Sequence, residues 1–208
     1  MAHSARFWDW IAPRYARSKI SNTEEFDRKR QMTSHHLTAK DRVLELGCGT
    51  GTIALIHAPE VAEILATDIS ETMLDIARRK AEEAGVQNVT FTQADIDLIG
   101  EEAQFDAALA FSLLHLLEDR DRAIGKVFRL VRPGGLFIST TFCMADRLWW
   151  VGLIAPIGRA LGLLPLIRLF RREDLERSIT DAGFEIVETW QPSPKKPVFF
   201  IARRPAAA

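Results

Sequence analysis

Three alternate glycines give this sequence its clearest chemical signal. In "VLELGCGTGT" (43–52), an apolar segment leads into Gly47, Gly49 and Gly51. Glycine adopts positive φ values without strain, and its missing Cβ lets a ligand approach the backbone closely. A dinucleotide-binding loop has the spacing G-x-G-x-x-G, whereas Thr52 stands at its third glycine position here. The loop also lacks the G-K-[ST] signature and any lysine nearby, so it predicts a ligand other than a dinucleotide or a nucleoside triphosphate.

Two aspartates follow later apolar segments and could bind the polar groups of a nucleoside. Asp68 ends "EILATD" (63–68), where a carboxylate can accept hydrogen bonds from both hydroxyls of a ribose. Asp95 in "QADI" could accept from an exocyclic amine, and three apolar side chains could contact a purine ring: Ile69, Met73 and Ile96. Each aspartate has a simpler alternative, since Asp68 also precedes a helix and Asp95 could cap a loop.

Buried-strand patterns alternate with amphipathic helix patterns along the chain. Strands are predicted at 42–47, 63–68, 88–95, 105–111, 136–142, 184–190 and 198–204, and helices at 70–85, 119–131 and 172–183. Such alternation indicates a mostly parallel, doubly wound sheet with helices on both faces. The last two strands are joined without a helix and should be antiparallel. Ligands of such sheets bind at the carboxyl ends of the strands.

Composition restricts the class of protein further. A length of 208 residues with 47% hydrophobic residues predicts a single domain over 1–208. The net charge of −1 gives little electrostatic support to a nucleic-acid partner. The two cysteines, Cys48 and Cys143, have no metal-type spacing, so we expect no metal site and a reducing, cytoplasmic location. The N-terminus lacks the uninterrupted apolar core of a signal peptide.

The ordered motifs resemble those of class I S-adenosylmethionine-dependent methyltransferases. They are "VLELGCGTG", the acidic end of the next strand, "QADI", "FDAALAFSLLHLLED" and "LVRPGGLFIST", which together extend from about residue 42 to about residue 140. The resemblance implies a Rossmann-like sheet of seven strands in the order 3-2-1-4-5-7-6, with the last strand antiparallel. It also implies that the cofactor is S-adenosylmethionine and that the product is S-adenosylhomocysteine.

The resemblance also assigns roles to individual positions. It places Glu45, Gly47, Cys48 and Gly49 at the methionine end of the cofactor, and Asp68 at the ribose. Around the adenine it places Ile69, Met73, Asp95 and Ile96, with the backbone near Ala110 and Phe111 closing the pocket. "FWDWIAPRYA", within a predicted helical cap over 1–40, resembles a segment that covers the cofactor, with Tyr15 near the methionine part. Simpler roles remain for Cys48 as a small buried residue and for Tyr15 as a packing residue.

His115 is the candidate catalytic residue. It follows the fourth strand in "SLLHLLED", where an imidazole could accept a proton or orient the acceptor atom. The alternative is a histidine that only stabilises the start of a helix. A base is needed only if the nucleophile arrives protonated, because methyl transfer by in-line displacement depends mainly on placement and alignment.

The segment 144–170 is longer and more apolar than a simple connection requires. Only Arg159 is charged between Leu148 and Ile167, but prolines and glycines interrupt the segment and favour two short helices over a membrane span. It could form a substrate lid, a dimer interface, a peripheral membrane contact through 148–172, or plain packing. The sequence therefore predicts a methyltransferase for a small, apolar, lipid-like or quinone-like acceptor, acting as a monomer or homodimer. The alternative is a non-catalytic S-adenosylmethionine-binding or regulatory protein on the same fold.

Overall fold

A seven-stranded sheet organises the computed structural model, which describes residues 2–18, 23–100, 105–143, 145 and 164–206. The strand order is 3-2-1-4-5-7-6. The first five strands are parallel to one another, and β7 (Val198–Arg203) pairs antiparallel with both β5 (Val131–Thr141) and β6 (Glu185–Trp190). The predicted fold class, strand order and antiparallel last strand are therefore confirmed.

The remaining elements alternate along the chain in the predicted way. The other strands are β1 (Arg42–Leu46), β2 (Glu63–Asp68), β3 (Val89–Gln93) and β4 (Phe105–Phe111). The described residues form the helices α1 (Ala2–Arg17), α2 (Thr23–His36), α3 (Thr52–His57), α4 (Glu71–Glu83), α5 (Arg120–Leu130) and α6 (Arg172–Asp181). Three short 3₁₀ segments follow α3, β3 and β4, at Ala58–Glu60, Ile96–Leu98 and Leu114–Leu116.

The helix α4 shows how local sequence sets these boundaries. Ser70 caps its N-terminus by accepting a hydrogen bond from the backbone of Met73, and Gly85 follows its end with a φ of 66°. The apolar side chains recur at helical spacing and are buried: Met73, Leu74, Ala77 and Ala81. This apolar face packs the helix beside β2 and β3, next to the carboxyl ends of the central strands.

The core lies on both faces of the sheet. Along β1, Val43 belongs to the cluster on the face of α2 and α3, whereas Leu44 and Leu46 belong to the cluster on the face of α5 and α6. This alternation follows from the two-residue period of a strand. Glu45 therefore lies on the same face as Val43, where α3 packs.

The fifth strand begins earlier than the sequence predicts. The sequence predicts a helix that ends at residue 131 and a strand that begins at 136, but β5 begins at Val131. Val131 pairs with Phe105 before the register shifts, and the backbone of Gly134 donates a hydrogen bond to the carbonyl of Arg204. Gly134 has a φ of 80°, so the turn residues form an irregularity within the strand.

Most of the predicted insert 144–170 lies outside the described residues, which resume at residue 164. Among the helices that the structure describes, none is long and apolar enough to cross a membrane.

Candidate active site

The glycine loop connects β1 to α3 with three left-handed residues. Gly47, Gly49 and Gly51 have φ values of 64°, 53° and 73°. A Cβ on Gly51 would lie 2.8 Å from the Cβ of Ala77 and 3.1 Å from the ring of Phe91. Gly51 thus lets the loop pack closely against α4 and β3. The third glycine of a dinucleotide fold has a similar packing role, but it comes one residue later in sequence.

Asp68 joins the end of β2 to this loop. One carboxylate oxygen accepts a hydrogen bond from the backbone of Gly49 and the other from the backbone of Ser70, both at 2.9 Å. Burial raises the pKa of Asp68, while these amides counteract the shift. Asp68 therefore belongs both to the start of α4 and to the glycine loop, and each oxygen retains a lone pair for a ligand hydroxyl.

The helix α1 docks beside this junction through Asp9. The carboxylate of Asp9 accepts hydrogen bonds from the hydroxyl of Ser70 at 2.6 Å and from the backbone of Thr72 at 3.2 Å. A carboxylate at a helix N-terminus also interacts favourably with the helix dipole. This contact brings Tyr15 to 3.8 Å from the position that a Cβ of Gly49 would occupy. The side chain of Tyr15 is 49% exposed, and burial together with Asp68 and Glu45 raises its pKa.

Glu45 is a buried carboxyl group at the end of β1. It is only 2% exposed, and its Oε2 has no hydrogen-bond partner in the described part of the chain. Burial raises the pKa of Glu45 to about 8, although the backbone of Ala54 stabilises the charged form. A buried acid without a full set of partners is a candidate ligand-binding group.

A cavity of about 390 Å³ opens beside the glycine loop. Six residues of the predicted site line it: Tyr15, Glu45, Gly47, Cys48, Gly49 and Phe111. Asp68, Ile69, Met73, Asp95, Ile96, Ala110 and His115 are not among its lining residues. The cavity thus coincides with the predicted methionine end and not with the predicted adenine end.

The predicted adenine-side residues lie beyond the ends of β2 and β3. Met73 is fully buried in α4, while Ile69 and Ile96 are half-buried. Asp95 caps the 3₁₀ segment that follows β3, by accepting a hydrogen bond from the backbone of Asp97 at 3.3 Å. Asp95 therefore makes the loop-cap contact that was its simpler alternative role.

Cys48 and Ala110 are both buried in the core. Burial together with the carboxylates of Glu45 and Asp68 raises the pKa of Cys48 far above its usual range, so this thiol is not activated as a nucleophile. Ala110 belongs to β4 and packs on the face of α5 and α6.

His115 lies in the 3₁₀ segment after β4, at the carboxyl end of the sheet. It is 9% exposed, and burial lowers its pKa to about 4. Its ring makes an edge contact with Phe142, and its Nδ1 has no hydrogen-bond partner among the described residues. The imidazole is therefore neutral at pH 7 and retains a free ring nitrogen.

Several cavity residues were not predicted from the sequence. Lys80 of α4 donates hydrogen bonds to the carbonyl and the hydroxyl of Thr50, so a lysine from a distant element reaches the loop. Lys29 and Arg30 of α2 and His57 of α3 line the cavity as well. No sequence motif marks Lys29, Arg30, His57 or Lys80, because they come from three different helices that meet only in the folded chain.

Ser112 is a further unpredicted residue of the cavity wall. It has a φ of 55°, and its backbone donates a hydrogen bond to the carbonyl of Thr140 at 2.7 Å. A left-handed serine directly after β4 is a strained conformation of the kind found at ligand sites.

Comparison with known proteins gives a consistent pattern. The model of a family described as a methyltransferase domain matches residues 37–159. A ubiquinone biosynthesis O-methyltransferase from Paracidovorax citrulli is 28% identical over 71% of this chain and 65% of its own length. A demethylmenaquinone methyltransferase from Clavibacter sepedonicus is 36% identical over 50% of this chain and 42% of its own length. The chain thus spans less than two thirds of either relative.

Solved structures share the fold at low sequence identity. The [4+2]-cyclase SpnF has a TM-score of 0.77 at 21% identity, covering 98% of this chain and 95% of its own. The N-methyltransferase NodS from Bradyrhizobium japonicum, solved with S-adenosylhomocysteine, has a TM-score of 0.72 at 18% identity, covering 95% of this chain and 98% of its own.

Proposed function

This chain belongs to the class I S-adenosylmethionine-dependent methyltransferases, and from that premise we propose that it methylates a small, apolar, quinol-like acceptor. The strongest support is the junction at which Asp68 accepts hydrogen bonds from Gly49 and Ser70. A strand-end carboxylate is thereby held against a glycine loop in which all three glycines have positive φ values. That arrangement suits a ribose lying close to backbone.

The polar groups around the cavity complement the methionine end of S-adenosylmethionine. Glu45 offers a buried oxygen without a partner in the described residues, which suits the cofactor's ammonium group. Lys29 and Arg30 line the same cavity and suit its carboxylate. Tyr15 would cover the bound cofactor from α1. On the far side of Asp68, the adenine would lie among the residues predicted for it, Ile69, Met73, Asp95 and Ile96. The backbone near Ala110 and Phe111 would close the pocket.

The protein's contribution to the reaction is placement. When bound, S-adenosylmethionine supplies a methyl group that is activated by the charge of its sulfonium. Transfer by in-line displacement requires the acceptor atom to be held close and aligned. His115 is neutral at pH 7 because burial lowers its pKa to about 4, so its free nitrogen can accept a proton from a hydroxyl acceptor or orient it.

The relatives and the apolar insert support the proposed acceptor class. The two relatives named above are quinone methyltransferases by name. In the segment 144–170, only Arg159 is charged between Leu148 and Ile167, which suits an apolar acceptor. We propose that this insert covers the acceptor pocket, while a dimer interface or a membrane contact through 148–172 remains the alternative use of the same surface.

An assay of product formation tests this function. We expect the protein to bind S-adenosylmethionine and to form S-adenosylhomocysteine when 1,4-dihydroxynaphthalene or catechol is supplied. Binding without product for either acceptor would favour the second candidate, a cofactor-binding protein without methyltransferase activity. The similarity of the fold to a [4+2]-cyclase keeps that candidate relevant, since fold alone does not fix the reaction. Tighter binding of NAD than of S-adenosylmethionine would overturn the proposal.

A further inference from the structure

A second histidine, His57, is held in a defined orientation in the cavity wall. It ends α3 and is completely buried. Its Nδ1 lies 2.8 Å from one carboxylate oxygen of Glu60. The other oxygen of Glu60 accepts a hydrogen bond from the hydroxyl of Ser34 in α2, also at 2.8 Å. The contacts Ser34 to Glu60 to His57 therefore fix the position of the imidazole ring.

These contacts also determine what the ring can do. A carboxylate accepts hydrogen bonds and keeps a proton on the adjacent Nδ1, and in the tautomer with its proton there Nε2 is a hydrogen-bond acceptor. That Nε2 is buried and has no partner among the residues that the structure describes. Because buried polar atoms are nearly always paired, an unpaired nitrogen in a cavity wall indicates a ligand group.

The other unpaired atoms strengthen this assignment. In the described part of the chain, six buried side-chain polar atoms lack a hydrogen-bond partner. Three of them belong to residues that line the same cavity: Glu45, His57 and Thr140. All three atoms are buried, and they gather unpaired polar groups around one cavity.

The complementary group can be identified by elimination. The carboxylate of S-adenosylmethionine is an acceptor and cannot pair with the acceptor nitrogen of His57, and its ammonium suits the carboxyl group of Glu45. The donor groups of its ribose and adenine are already assigned to Asp68 and to the residues beyond it, so we assign to Nε2 a hydroxyl group of the methyl acceptor, which can donate to it.

We infer that His57 selects acceptors with two aromatic hydroxyl groups, by accepting a hydrogen bond from the hydroxyl that is not methylated. This inference rests on the proposed function, since it requires an acceptor beside the cofactor. It places a specificity residue on α3, and it names the acceptor class as a dihydroxy aromatic ring.

The binding of two related phenols tests the inference without any measurement of activity. Calorimetry compares catechol with phenol on the protein loaded with S-adenosylhomocysteine. We expect catechol to bind at least about tenfold more tightly than phenol, because one buried hydrogen bond separates the two. His57→Leu should bring the ratio close to one and leave the dissociation constant of S-adenosylhomocysteine unchanged. His35→Leu, a change at an exposed histidine of α2, should keep the wild-type ratio.

A second variant keeps the test valid if His57→Leu does not fold. Glu60→Gln preserves the size of the side chain, and its amide can donate to Nδ1 and turn Nε2 into a donor, so the catechol preference should fall here too. Equal binding of the two probes by the wild type overturns the inference. So does a change in S-adenosylhomocysteine affinity in His57→Leu with an unchanged ratio. Failure to bind S-adenosylhomocysteine instead contradicts the proposed function, and the ratio on the unliganded protein then decides the role of His57.

Discussion

Glu45 shows how one buried side chain can make cofactor binding depend on pH. Its pKa is about 8 in the unliganded chain because burial disfavours the charged form, so it is mostly protonated at pH 7. A bound ammonium group favours the carboxylate and expels the proton. Affinity for S-adenosylmethionine should therefore increase with pH up to about 8, on the order of tenfold for each pH unit below that value.

Calorimetry in buffers of different ionisation enthalpy measures this proton release directly. We expect close to one proton to be released per cofactor at pH 7, and almost none from the variant Glu45→Gln. The exposed Glu83→Gln serves as the control and should behave like the wild type. Proton uptake on binding, or a Glu45→Gln variant with the same pH dependence as the wild type, would contradict the pairing of Glu45 with the ammonium.

His115 permits a separate prediction about turnover. If its free nitrogen accepts the acceptor's proton, His115→Asn should lower kcat by about 10²–10⁴-fold and leave the dissociation constant of the cofactor unchanged. Burial lowers its pKa to about 4, so protonation of His115 should not reduce the rate between pH 6 and 8. Steady-state kinetics with His35→Asn as the control measure both effects. Equal turnover in His115→Asn would leave a structural role only.

At the scale of elements, one carboxylate of α1 contacts the start of α4 beside the site. Asp9 joins α1 to Ser70 and Thr72 at the start of α4. We expect Asp9→Ala to raise the dissociation rate of S-adenosylmethionine by about three- to tenfold, because the variant loses one or two partly buried hydrogen bonds. Stopped-flow dissociation and hydrogen exchange of α1 test this, with Glu24→Ala as an exposed control. An unchanged rate together with faster exchange in α1 would show that this helix does not retain the cofactor.

The elements themselves were largely predictable from the sequence, whereas parts of the site were not. Hydrophobic period and caps such as Ser70 act locally, so they predicted the strand and helix pattern correctly. The strand order, also correct, came from the family resemblance and not from local pattern. The contact of Lys80 with Thr50 and that of Ser34 with Glu60 depend on how elements distant in sequence pack together. No spacing rule encodes such contacts, and the early start of β5 at Val131 likewise depends on pairing with β4.

At the scale of the whole molecule, one binding site at the carboxyl ends of the strands couples elements from most of the chain. The site draws on α1 through Tyr15, on α2 through Lys29, on α3 through His57 and on β4 through Phe111. A ligand there contacts segments that are distant in sequence. Its binding should therefore stabilise the folded chain as a unit.

Thermal unfolding measures this coupling and the role of Asp68 together. S-adenosylhomocysteine at about 100 times its dissociation constant should stabilise the fold by about 2.7 kcal/mol, and this raises Tm by about 5–10 °C for a chain of this size. Asp68→Ala should lose about 1.5–3 kcal/mol of binding, since charged hydrogen bonds to the ribose have that magnitude. At the same ligand concentration its Tm shift should fall below half of the wild-type value.

The matched control for this experiment is Asp75→Ala, which removes an exposed carboxylate of α4 that pairs with Arg78. It should keep the full Tm shift, because a surface ion pair contributes little to stability and Asp75 lies outside the cavity lining. NAD at the same concentration should give a smaller shift than S-adenosylhomocysteine in the wild type. If Asp68→Ala retained the full shift, its carboxylate would serve only the glycine loop and the start of α4, and the ribose would have to be held by other groups.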